Sequence, residues 1–236
     1  MTSEPVIPDF GKGSDCVVEN RFFCWDWTKE HWDDTFQPAL LEHIKLALIA
    51  VSIGFVIAFV LAYVAYRMHW LETPIGWLSG LFYTIPSLAL FQLLVPVTGL
   101  SLTTVEIALV SYTLLVLFRN ILEGLRAAPP DVREAARAMG MSSRQAFYRV
   151  ELPLAMPAIL AGLRITVVLT ISLATVAAYV VPEGLGAPIF SGLREYFQTK
   201  FVVAGALAVA LALVADALLV LLGRALTPWT RAQRPA

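Results

Sequence analysis

Long stretches without a single charge constrain this chain most. Residues 46–66, 73–105 and 165–182 contain no Asp, Glu, Lys or Arg, and residues 201–223 contain only Asp216. About 20 consecutive apolar residues suffice to cross a bilayer as a helix. The expected fold is therefore all-α and polytopic, with five spans at about 42–66, 75–97, 103–121, 158–181 and 201–223. Composition agrees: 58% of the 236 residues are hydrophobic and 15% charged, against about 25% charged in soluble domains. The formal net charge of -1 lacks the basic surplus of a nucleic-acid binder.

The few charges are distributed unevenly. Residues 1–45 hold nine acids and four bases, whereas residues 119–164 hold seven Arg against four acids. The tail from residue 224 carries Arg224, Arg231 and Arg234 and no acid. Basic loops stay cytoplasmic, so the N-terminus is expected outside and the C-terminus inside. The chain then divides into an extracytoplasmic segment (1–41), a transmembrane domain (42–223) with a cytoplasmic loop (126–157), and a basic tail (224–236). No basic n-region followed by an apolar h-region opens the chain, so the N-terminal segment does not read as a secretory signal. Cys16 and Cys24, the only cysteines, lie in that segment. An oxidising exterior permits a bridge between them, and two free thiols are the alternative. Trp25, Trp27 and Trp32 precede the first span and suit an interfacial aromatic belt. The polar stretch 28–37 suits a short surface helix ahead of Pro38.

The basic loop carries the densest pattern. Asp131 can cap a helix, with Glu134 as the reciprocal partner of a capping box. Ala135, Ala136 and Ala138 favour helix, and Gly140 is a natural stop. Ser142 with Gln145 can open a second helix, expected to end near Leu152 because Pro153 follows. Two short helices with an exposed Arg surface result. On physical grounds they suit either a hairpin lying on lipid headgroups or a protein-docking element.

Elsewhere, Pro86 should kink or partly unwind the second span, and such breaks persist where protein packs them or a cavity needs them. Pro86 and Ser87 are thus candidates for a translocation path, with a packing kink as the alternative. Asp216 and Glu106 are carboxylates within or beside spans, a placement that suggests function. Asp216 can equally pair with an Arg such as Arg164, and Glu106 can sit at the interface. Gly184, Gly186 and Pro188 point to an ordered outer turn before the last span. His31, His43 and His69 are too scattered for a metal site. No Walker loop or metalloprotease motif occurs, so the chain is not expected to be an enzyme.

The series Glu134-Ala135-Ala136, Gly140, Val150 and Leu152-Pro153 resembles the EAA loop of ABC-importer permeases, with the family's spacing and Val150 where that family has Ile. The segments 84–90, 117–121 and 151–164, and Gly184-Leu185-Gly186 with Ile189-Phe190, are similar to the glycine betaine/carnitine/choline permeases. Val181-Pro182-Glu183 departs from that group's small residues before the glycine pair. The resemblance implies a permease subunit that couples through Glu134, Ala135, Ala136, Arg137, Gly140, Met141, Val150, Leu152 and Pro153. The implied partners are two ATP-binding subunits, a second permease subunit, same or related, and an extracytoplasmic substrate-binding protein, with lipid around them. ATP and Mg would sit on the ATPase and no cofactor on this chain. The implied cargo is a quaternary-ammonium osmoprotectant, with an amino acid as the alternative, and the implied location is the bacterial inner membrane.

Overall fold

The computed structural model describes residues 15–231; Lys12 and Arg234, and the burial of Arg231, lie outside the described set. Two short helices, α1 (Asp15–Val18) and α2 (Trp25–Glu30), precede a π-helical turn (Trp32–Phe36) that runs directly into α3 (Gln37–Arg67). Pro38 sits in the first turn of α3, where its missing N–H has no intrahelical partner to lose. Trp27 does not lie on the surface with Trp25 and Trp32. Its ring stacks on His31 at 4.2 Å and meets Phe197 edge-on at 4.6 Å.

The long helices that follow are α6 (Leu102–Arg126), α9 (Leu152–Ala177) and α11 (Gln198–Leu226). Together with α3 they are long and apolar enough to cross a membrane. Between α3 and α6 lie α4 (Glu72–Thr84) and α5 (Ser87–Thr98), bent by 98° at Ile85-Pro86. The expected second span is thus broken at Pro86 into two half-length helices. Ile85 and Pro86 are both extended (ψ 129° and 135°), as the residue before a proline prefers. The described chain is all-α, with four to five membrane-length elements.

The packing of α3 explains its composition. Ala50, Ala58, Ala62 and Ala65 are fully buried, and Gly54 continues the same stripe at helical spacing. Small residues let helix backbones approach closely in lipid, where dispersion and not the hydrophobic effect drives association. Ala58, Ala62 and Ala65 of this stripe meet Leu117, Phe118, Ile121 and Leu125 of α6, with Ala155 and Ile159 of α9 in the same cluster, while Ala50 packs with Val105, Ala108 and Leu109. The opposite face of α3 exposes Leu48, Ile53, Val56 and Val60, as a lipid-facing surface should. Helix α11 is the most exposed of the four, with Val209, Leu213, Leu218 and Leu221 on its outside.

The loop after α9 is ordered by His43. This fully buried imidazole accepts from the Leu185 amide through Nδ1 at 3.2 Å, and Nε2 lies 3.1 Å from the Ile171 carbonyl. Gly184 takes φ +63° beside it, and helix α10 (Gly186–Arg194) follows, packed on α9 and α11.

Candidate functional site

The basic loop forms α7 (Pro130–Ala138) and α8 (Ser143–Ala146). Asp131 does not cap α7. Pro129 occupies the cap and Pro130 the first helical position, where proline's fixed φ is already helical. Asp131, in the first turn, still complements the helix dipole. Gly140 ends α7 at φ +77°, with its amide on the Arg137 carbonyl (2.9 Å) and the Met141 amide on Ala136 (3.1 Å). These are the two bonds of a Schellman turn, whose αL position favours glycine. Ser142 and Gln145 make the expected reciprocal capping box, at 2.9 and 3.3 Å.

The second helix does not stop at Leu152. It continues through a π-helical turn (Phe147–Glu151) into α9, in one helical run from Ser143 to Ala177. The Leu152 amide reaches back to Phe147, one residue further than in an α-helix. That local widening sits where Pro153 would otherwise clash with the preceding turn. The loop is therefore joined to α9 by continuous helix.

Three further ties hold the platform. Arg133 donates to the Arg126 and Ala128 carbonyls (3.0 and 2.8 Å), satisfying the end of α6. Arg126 forks onto Glu72 of α4 at 2.8 and 2.7 Å, the bidentate geometry that guanidinium favours. Phe147 is buried and meets Tyr63 of α3 edge-on at 4.9 Å. Of the motif residues, Ala136 is buried; Glu134, Ala135, Arg137 and Gly140 are exposed; Met141, Val150, Leu152 and Pro153 are half-buried. Val132, Met139 and Tyr148 also face out, at 37%, 70% and 56% exposure. An anchored base thus presents a surface mixing apolar and charged groups.

Pro86 and Ser87 line a cavity of about 320 Å³ between the α4–α5 break, α6 and α9. Its wall includes Tyr83, Tyr112, Thr113, Thr166 and Thr170 and no charged residue. Tyr83 and Tyr112 pack edge to face, centroids 6.2 Å apart. The break frees backbone carbonyls, and side chains satisfy two of them: Thr84 donates to Leu81 at 2.8 Å, and the Tyr112 hydroxyl donates to Ile85. Thr84 and Tyr112, two residues of this uncharged wall, are thus also the ones that bond carbonyls at the break.

Asp216 lies elsewhere. It accepts two bonds from Arg164 at 2.8 and 2.9 Å and borders recesses between α9 and α11. Glu106 lines none of these cavities, and both its carboxylate oxygens are enclosed without a hydrogen-bond partner. Among the described residues no group of three or more His, Cys, Asp or Glu side chains could hold a metal. Tyr83, Tyr112, Thr166 and Thr170 are not among the residues that the sequence pattern points to. The i, i+4 pair Thr166/Thr170 inside an apolar span is the signal that could have found them.

Residues 45–228 match the family described as "Binding-protein-dependent transport system inner membrane component". The chain belongs to that family. It is 36% identical over 188 residues to the choline transport system permease protein OpuBB of Bacillus subtilis (strain 168), covering 79% of this chain and 86% of that one. It is also 36% identical over 193 residues to the osmoprotectant import permease protein OsmW of Salmonella typhimurium, covering 79% and 89%. Its fold matches an inward-facing structure of the MetNI methionine ABC transporter with TM-score 0.68 and 23% identity, over 79% of this chain and 94% of that one. The protein is a multi-pass permease subunit of an ABC importer in the bacterial inner membrane, and not itself an enzyme.

Proposed function

We propose that this subunit forms half of the translocation pore of an importer for quaternary-ammonium osmoprotectants such as choline, glycine betaine or carnitine. The N-terminus faces outward and the Arg-rich α7–α8 platform faces the cytoplasm, in keeping with the basic-loop rule. One of two ATP-binding subunits seats on the exposed surface around Glu134, Ala135, Arg137 and Met139, the other on the matching surface of the second permease subunit, and ATP and Mg stay with them. A second permease subunit, same or related, completes the pore, and an extracytoplasmic binding protein delivers the cargo.

The continuous helix from α8 into α9 carries the reading. Closure of the ATPase pair draws the platforms together. Rigid helix passes the displacement to α9, which lines the cavity at the α4–α5 break. The uncharged wall suits a cargo whose charge has no proton to donate, and the Tyr83 and Tyr112 rings offer faces to a soft cation. The relatives' named substrates support this cargo class over an amino acid.

The test is ATP-driven uptake of labelled choline into proteoliposomes holding this subunit with its ATPase, supplied with its binding protein. Glycine betaine and carnitine should compete, and methionine should not. Competition by methionine alone would overturn the cargo assignment, and uptake without an ATPase would overturn the class.

A further inference from the structure

The segment ahead of residue 45 precedes the family match, yet it is docked on the transport domain, and Asn20 makes two of the bonds that hold it there. Cys16 and Cys24 are joined by a disulfide. The loop they close turns at Asn20, whose φ is +48°, a left-handed conformation that asparagine tolerates. Within that turn the Asn20 backbone N–H donates to the Val17 carbonyl at 3.0 Å, and the Arg21 N–H donates to the Cys16 carbonyl at 3.0 Å. The Asn20 carboxamide is left to face a second corner, between α10 and α11.

That corner is an unfavourable one. Helix α10 ends in a Schellman turn, with the Tyr196 amide on Leu193 (3.3 Å) and the Phe197 amide on Gly192 (2.8 Å). The left-handed position, usually glycine, is Tyr196 at φ +54°. Phe197 then occupies the cap of α11, and its phenyl ring has no oxygen to offer the first amides. Asn20 serves both sides of this corner, 176 and 178 residues away in sequence. Its Nδ2 donates to the Tyr196 carbonyl at 2.6 Å, and its Oδ1 accepts from the Gln198 amide, the first of α11, at 2.9 Å. The Thr199 hydroxyl donates to the Arg21 carbonyl at 3.0 Å. Beneath these bonds Val17 and Cys24 pack on the buried Phe197 ring.

We propose that the disulfide-closed loop of residues 16–24 is an extracytoplasmic clamp, in which Asn20 is the positioning residue that holds the α10–α11 corner. The clamp fixes α10, the helix that follows the His43-anchored turn at the outer end of the transport domain, relative to α11. A left-handed tyrosine gives the corner a standing tendency to relax, and the Asn20 bonds oppose it. Without the bridge the loop is free to spread and Asn20 loses its fixed aim.

The test is hydrogen exchange in the full membrane-embedded transporter, comparing wild type with Asn20→Ala and with the double variant Cys16→Ser/Cys24→Ser. Loss of a cap bond should speed exchange of the Gln198 amide by about tenfold in Asn20→Ala, with acceleration confined to about residues 195–200. The double-cysteine variant should accelerate the same amides, and both should slow uptake several-fold with unchanged membrane insertion. Should the double variant fail to insert, Asn20→Ala, which keeps the bridge, carries the test. Unchanged exchange at Gln198 in Asn20→Ala would overturn the clamp. Faster exchange with wild-type uptake would overturn its positioning role in transport.

Discussion

Gly54→Ala tests how closely α3 and α6 meet. A methyl group at residue 54 would overlap the Thr113 hydroxyl oxygen and stand 2.9 Å from Thr113 Cβ, where ordinary contact begins near 3.4 Å. Thr113 cannot retreat easily. It is 2% exposed, its hydroxyl is bonded to the Val110 carbonyl at 2.7 Å, and β-branching restricts χ1. The helices must therefore separate, loosening the alanine stripe on either side. Overpacking of this kind costs about 1–3 kcal/mol. For a chain of this length that lowers Tm by roughly 2–12 °C. Thr113→Ala removes the hydroxyl but leaves Cβ at 2.9 Å, so the double variant should recover part of the loss and not all of it. The expected coupling is at least about 0.5 kcal/mol. Because Thr113 borders the α4–α5 cavity, uptake should fall with Tm. The assay is thermal melting of the purified transporter in one detergent, with uptake measured in parallel. A Gly54→Ala protein that melts with the wild type, or that loses as much in the Thr113→Ala background, would refute the close approach.

Other outcomes follow from the site. Gly140→Val places a β-branched residue at φ +77°, at a cost of about 1–2 kcal/mol; ATP-linked uptake should be lost while membrane insertion, read by fractionation, persists. Tyr112→Phe leaves the Ile85 carbonyl without its donor beside the proline break, a loss of about 1–3 kcal/mol, and should lower the maximal uptake rate more than it changes coupling to the ATPase. Burial first, and then the neighbouring Glu42 carboxyl, raises the pKa of Glu183 in the loop after α9. A raised carboxyl contributes stability below the ordinary carboxylate range and loses it as pH climbs through the raised value. The loop should thus loosen on that rise, as read by exchange at Gly184 and Leu185, and Glu183→Gln should flatten the dependence.

What the sequence disclosed depended on how local the cause was. The apolar runs and the Gly140 stop were legible because each rests on a few adjacent residues. The Ser142 capping box was legible for the same reason. Asp131 misled because Pro129-Pro130 claim the same two positions with a stiffer preference. Pro153 misled because a π-helical turn absorbs it, and that turn is stabilised by Phe147 packing on Tyr63, a contact of distant residues. Pro86 correctly marked a break, but the 98° bend depends on Tyr112 supplying a hydroxyl from another helix. The cavity wall draws on three separate regions of chain, so no single stretch revealed it. Asp216 read as either functional or paired, and its bidentate bond to Arg164 ties it to α9.

The central claim is that the α7–α8 platform receives the ATPase. Its most direct test is a photo-crosslinking residue at Met139, 70% exposed on that platform, compared with one at Tyr179, 62% exposed beyond the far end of α9. In the assembled transporter the residue at 139 should crosslink to the ATP-binding subunit, with a yield that changes when ATP is added, and the residue at 179 should not. Crosslinking to the ATPase from 179, or none from 139 in a transport-active complex, would contradict the account.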